Sequence, residues 1–414
     1  VGRAAGAVAL ALAAAQASRA FADVNGYVTA GASYDNNLFR APDGQSFAGF
    51  SKSDDIFDLG GGGQLNLTNP HFQLNATIDV GQNWYSRNSF LNSLAYDGSL
   101  ELTERQKYID LDVQAAQSQS LSSFADIRSP VRNLQVLTRT AARVGFAATA
   151  DVRLVFDVKF NRDTNTNALV AEADYNQPSG GVGIGYFSPS GNSVVVEELR
   201  TYTQGVNPQI FLLQNGLVGS KINDIDDTTS LQIGYSPSPV LSLYAQAGYL
   251  RREDKSIIHD NLATPVGSLR LSYLPDALFH VDISAGRQLS SQSYLLVEGL
   301  QDSYVRIKPV VAFDNALNLT FDFNYDHRSF GIVQQLGFGP SNTSDQSMRY
   351  DATLSYKLFD NYEVDFTGYH EERHSNDIID TYTDNGLTLT LTIRSARPAP
   401  PPEGLEKADL LLLP

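Results

Sequence analysis

The stretch TGYHEERHSND (367–377) places His370, Glu371 and His374 in the spacing of a zinc-protease site. On a helix, residues four apart share a face and lie about 6 Å apart along the axis, so both imidazoles can hold one ion. On a strand the same pair stands about 13 Å apart and cannot chelate together. The chemistry therefore depends on which element carries the motif. The preceding residues, YEVDFTGYH (362–370), alternate Tyr362, Val364 and Phe366 against Glu363, Asp365 and Thr367. That is period two, so the motif is expected at the frayed end of a strand running into a loop, with no zinc site.

Other candidate chemistry is equally thin. GGGG (60–63) lacks the Gly-Lys-Ser/Thr that completes a phosphate loop, and Gly181, Gly183 and Gly185 do not make a dinucleotide fingerprint. These glycines read instead as curvature or as room in a strand. Asp110 with Asp112, and Glu363 with Asp365, are carboxylates two apart on strands, which is ordinary wall chemistry. His71, His259, His280 and His327 are scattered. No nucleophile–base set emerges, so an enzyme such as a barrel lipase or protease is not expected, and neither is a cofactor or a metal.

The elements that position these residues repeat along the chain. FQLNATIDV (72–80), VRLVFDVKF (152–160) and LNLTFDFNYD (317–326) each alternate apolar with polar residues. Turn chemistry separates such segments at SPSGN (188–192), LPDA (274–277), FDNA (313–316) and LFDN (358–361), whereas FRAPDGQSFAGFSKSDD (39–55) is long and polar. Short and long connections alternate, giving about 18 strands (16–18) in one antiparallel sheet with the N-terminus on the short-turn side.

Charges occupy mid-strand positions on the polar face, and a protein core could not hold so many without a heavy desolvation cost. A water-filled bore can. Tyr34, Tyr249, Tyr273, Tyr325, Tyr350, Tyr356 and Tyr362 fall near strand ends on the apolar face, as in an aromatic girdle. The expected fold is all-β: a single transmembrane antiparallel β-barrel in the outer membrane of a Gram-negative bacterium, with short periplasmic turns and long extracellular loops. Its lipid-facing side is the apolar one. The expected lumen wall comprises Gln73, Asn75, Tyr85, Gln135, Arg139, Arg143, Arg153, Asp157, Lys159, Tyr244, Gln246, Arg306, Lys308, Asp322, Asp351, Glu363 and Tyr369.

The first residues, VGRAAGAVALALAAAQASRAFAD, have a basic start, an apolar run and an Ala20-Phe21-Ala22 cleavage pattern, so residues 1–22 read as a signal peptide. The barrel is expected over 23–394 and a Pro-rich, extended tail over 395–414. The chain has no Cys, hence no disulfide framework, and a net charge of −16 that argues against nucleic acid as a partner. The last expected strand, GLTLTLTIR (386–394), ends without the aromatic residue that such barrels commonly carry.

YDNNLFR (34–40), SLSSFADIR (120–128) with RNL (132–134), YFSPSGNS (186–193), LLQNG (212–216) and RQLSS (287–291) occur in an order that resembles the outer-membrane proteins of exopolysaccharide operons, the EpsL-like family. The resemblance spans nearly the whole mature chain. It implies a passive conduit for a secreted polysaccharide made by a flippase-and-polymerase pathway, with periplasmic export components as partners. The residues alone leave a general diffusion porin for small solutes equally open. In that case 203–227 is a candidate constriction loop, because Ile210-Phe211-Leu212-Leu213 needs burial.

Overall fold

The computed structural model describes residues 21–124, 130–168, 170–213, 216–221, 223–255, 261–290, 300–330, 344–376 and 381–395. The expected leader and tail therefore lie almost wholly outside the described residues. Alternating β-branched, aromatic and polar residues produce long strands. The first nine are β1 (Phe21–Asp35), β2 (Asp54–Asn69), β3 (Phe72–Tyr85), β4 (Ser93–Arg105), β5 (Ile109–Leu121), β6 (Leu134–Ala147), β7 (Val152–Asn165), β8 (Tyr175–Phe187) and β9 (Ser193–Gly205). A small hairpin follows, β10 (Gln209–Leu213) with β11 (Gly216–Ser220). Then come β12 (Asn223–Ser238), β13 (Leu241–Asp254), β14 (Leu262–Asp276), β15 (Phe279–Ser290), β16 (Leu300–Ala312), β17 (Leu317–Phe330), β18 (Ser344–Phe359), β19 (Tyr362–Ser375) and β20 (Tyr382–Arg394).

All strands except the hairpin form one 18-stranded antiparallel sheet. Each pairs with its neighbour in the chain, β9 pairs with β12, and β1 pairs with β20 from Tyr27↔Arg394 to Asp35↔Gly386. The sheet is closed, so no edge is left unpaired, which is what a lipid environment requires of strands. Turns at the end where the chain enters are short: 70–71, 239–240, 277–278 and 360–361. Connections at the other end are longer, up to residues 36–53.

The two faces follow the strand parity. Leu387, Leu389, Leu391 and Ile393 of β20 are exposed, as are Val24 and Val28 of β1 and Leu154, Phe156, Val158 and Phe160 of β7. Residues between them point into the bore. Tyr34, Tyr249, Tyr273, Tyr350, Tyr356 and Tyr362 are exposed on the apolar side, whereas Tyr325 is half-buried. A soluble protein would not leave so large an apolar surface bare. It is the lipid-facing band, about 25 Å tall in barrels of this kind.

Candidate functional site: the lumen

All seventeen expected wall residues, from Gln73 to Tyr369, fall on the inward parity of their strands. Some of them fall into three sectors, which also hold residues that the periodicity does not reveal; elsewhere on the wall Arg153 pairs with Asp110, Asp351 with Arg349 and Glu363 with Arg394.

The first sector is at the outer mouth. Residues 36–41 turn inward against the wall rather than out over the membrane. Asn37 donates to the carbonyls of Ala41 and Thr383, each at 2.9 Å. Arg40, with a φ of 52°, directs its guanidinium to three inward carboxylates: Asp384 at 2.8 Å, Asp35 at 3.0 Å and Glu371 at 3.3 Å. Burial alone disfavours the Arg40 charge, but Glu371, Asp35 and Asp384 outweigh it and hold the proton above the usual arginine range. The Tyr369 hydroxyl donates to Asp35 or Asp384, each at 3.0 Å, and Arg349 stacks over the Tyr369 ring at 4.4 Å. Phe39 is 2 % exposed and sits among Leu38, Tyr85, Leu91 and Phe124, its ring 4.9 Å from that of Phe124. The first outer loop is thus fastened between the seam of the barrel and the loops after β3 and β5.

The second sector lies on β6–β12. Arg143 makes a bidentate pair with Asp157 at 2.8 and 3.0 Å and reaches Glu197 at 3.0 Å. Gln232 donates to the same Glu197 at 2.6 Å. The chain of bonds passes over β8, whose inward residues here are Gly181 and Gly183. A Cβ at Gly181 would lie 2.9 Å from Glu197 Oε1, and one at Gly183 would lie 3.2 Å from Glu197 Cα. The glycines that fail as a nucleotide motif clear the path for this network.

The third sector is a division of charge across the bore. The inward faces of β1, β2 and β3 carry amides and acids and no Lys or Arg. Asp79 and Asp97 are register partners on β3 and β4, and Asp58 faces Asn83 further up the same wall on β2. On the opposite side of the ring, β14 and β16 carry Arg270, Arg306 and Lys308, with Asp282 of β15 between them. A dissolved ion crossing mid-barrel meets unlike walls.

Two expectations are corrected. The His-Glu-x-x-His string is not frayed: β19 runs through it to Ser375, and its register continues to Asp345↔Ser375. His370 and His374 therefore share the outward parity along an extended chain, and His370 bonds Asn385 at 2.7 Å. The region 203–227 is also not one loop. Its ends belong to β9 and β12 and its centre is the β10–β11 hairpin, whose side chains, Ile210 to Leu213 among them, lie outside the described ones. At the mouth it is residues 36–41 of the first outer loop that meet the inner wall.

These features define the molecule. It is an 18-strand β-barrel of the outer-membrane kind. No family model matches the chain, and no curated protein does. Solved structures do resemble it. OpdK from Pseudomonas aeruginosa aligns at 10% identity with a TM-score of 0.45, covering 90% of this chain and 99% of that one. OccAB3 from Acinetobacter baumannii aligns at 11% identity with a TM-score of 0.43, over 90% and 99%. A bacterial polysaccharide outer-membrane secretin aligns at 9% identity with a TM-score of 0.32, over 89% and 98%. At this depth of likeness nothing about solute or mechanism transfers.

Proposed function

We propose that the barrel is a passive diffusion channel for small hydrophilic solutes. The observation that carries this reading is the mouth: loop 36–41 is clasped to the inner wall by Arg40 and Phe39, which takes cross-section from the bore where a wide polymer would enter or leave. The opposed walls below it suit small polar molecules, whose dipoles can align between Asp79 and Asp97 on one side and Arg306 and Lys308 on the other. The residues do this by binding weakly and at many points, so that solutes enter and also leave. No covalent step is involved. Proteoliposomes should swell in small sugars and amino acids and not in large dextrans; absence of swelling in the small solutes would overturn the reading.

A second reading is export of a secreted polysaccharide, which the EpsL-like resemblance implies. The amide- and hydroxyl-rich inward face of β1–β3 favours it, since Asn25, Thr29, Gln64, Gln73 and Asn75 suit sugar hydroxyls. In this reading the loop clasp must open to pass polymer. Polymer accumulating in the periplasm of a deletion strain would support it over the first reading, and unchanged surface polysaccharide would remove it.

A further inference from the structure

We infer that the inner half of the wall where β20, β1 and β2 meet contains a binding site for a neutral polyhydroxylated ligand, of the chemistry of a saccharide; the inference rests on the channel reading. A cavity of about 400 Å³ opens there, lined by Asn25, Tyr27, Thr29, Gln64, Thr392 and Arg394. That volume falls in the range of small-molecule sites.

The hydrogen-bond inventory specifies the ligand. Asn25 donates through Nδ2 to Asp23 at 3.1 Å, but its Oδ1 is buried with no donor. Asp79 Oδ1, which projects over Gly62 beside the cavity, is likewise buried with no donor. Buried acceptors lacking donors are costly, so a fitting ligand brings O–H groups. An anion does not fit, because it would meet these acceptors and because Arg394 is already engaged by Glu363 at 3.0 Å.

The platform is Tyr27. Its hydroxyl lies 2.6 Å from where a Cβ at Gly62 would stand, and Asp79 Oδ1 lies 2.3 Å from the same point. Only glycine at 62 lets the phenol and the carboxylate converge, and this gives the second half of the GGGG run a role in the wall. A ring face flanked by amides and a carboxylate is a surface on which a pyranose can rest its apolar side while its hydroxyls are bonded.

The test is single-channel recording in a planar bilayer with maltotriose as probe. Wild-type barrel should show brief resolved interruptions of the ion current. Tyr27→Ala and Asn25→Ala should each shorten them about tenfold, as loss of one good hydrogen-bonding or stacking partner does, with wild-type mobility of the unheated protein on a detergent gel as proof of a folded barrel. Interruptions as long in both variants as in wild type, or none in wild type over a steady current, would overturn the site and leave the channel standing. A silent bilayer would overturn the channel reading and the site with it.

Discussion

Arg40 Nη1 stands 2.8 Å from the Asp384 carboxylate, so the first loop of the chain is tied to the last strand where the cylinder closes. Asp384 is fully buried, and Arg40 is 13% exposed in its side chain. Removing one partner of such a buried pair costs roughly 3–5 kcal/mol, because the others remain buried without compensation. Arg40 also holds a left-handed backbone, which non-glycine residues adopt only against a penalty of about 1 kcal/mol or more.

Two substitutions separate these effects. Arg40→Gly relieves the backbone and removes the clasp, whereas Arg40→Lys keeps a charge and loses the fork that reaches several carboxylates. Both should raise single-channel conductance. Arg40→Gly should raise it more, and both should lower the temperature at which the barrel loses its folded mobility on a detergent gel. Unchanged conductance in both would mean that the loop does not narrow the path.

Phe39→Ala should act on the same loop from its other anchor. The ring is buried against Phe124, Tyr85 and Leu91, and truncating a buried Phe costs about 3–5 kcal/mol. Much of that loss falls on the loop rather than the cylinder, so conductance should rise and become noisier while the thermal transition of the barrel moves little. A collapse of the whole barrel would show the cluster to be part of its core.

The opposed walls should set ion preference. Arg306→Glu should shift permeability toward cations, and Asp97→Lys toward anions, each by a factor of several measured as a reversal potential under a salt gradient. Both shifts should shrink at 1 M salt, where the screening length is about 3 Å. Equal reversal potentials in wild type and variants at low salt would show that the opposed walls do not act on passing ions.

The cylinder was legible because its code is local. Period-two segments such as 152–160 and 317–326 became β7 and β17 with the expected faces, and SPSGN (188–192) and FDNA (313–316) became turns with the expected bounds. The mouth was not legible. Arg40 meets Asp384 and Glu371 only because the sheet closes and brings both ends of the chain together, and no spacing in the sequence records that juxtaposition. Glu197 escaped notice for a related reason: its partner Arg143 lies three strands away, across inward glycines whose value appears only when the side chains above them are seen. The run Leu38-Phe39 in a polar loop was the one available signal, since an apolar pair there needs cover.

Which strand face meets lipid can be measured directly because the sequence has no cysteine. Single cysteines placed in turn at positions 387 to 393 of β20, replacing Leu387 through Ile393, should be challenged in intact membranes with a water-soluble maleimide. Labelling is expected at Thr388, Thr390 and Thr392, which face the bore, and protection at Leu387, Leu389, Leu391 and Ile393, which face lipid. Uniform labelling along the strand, or labelling of the leucine positions in preference to the threonines, would contradict this assignment of faces.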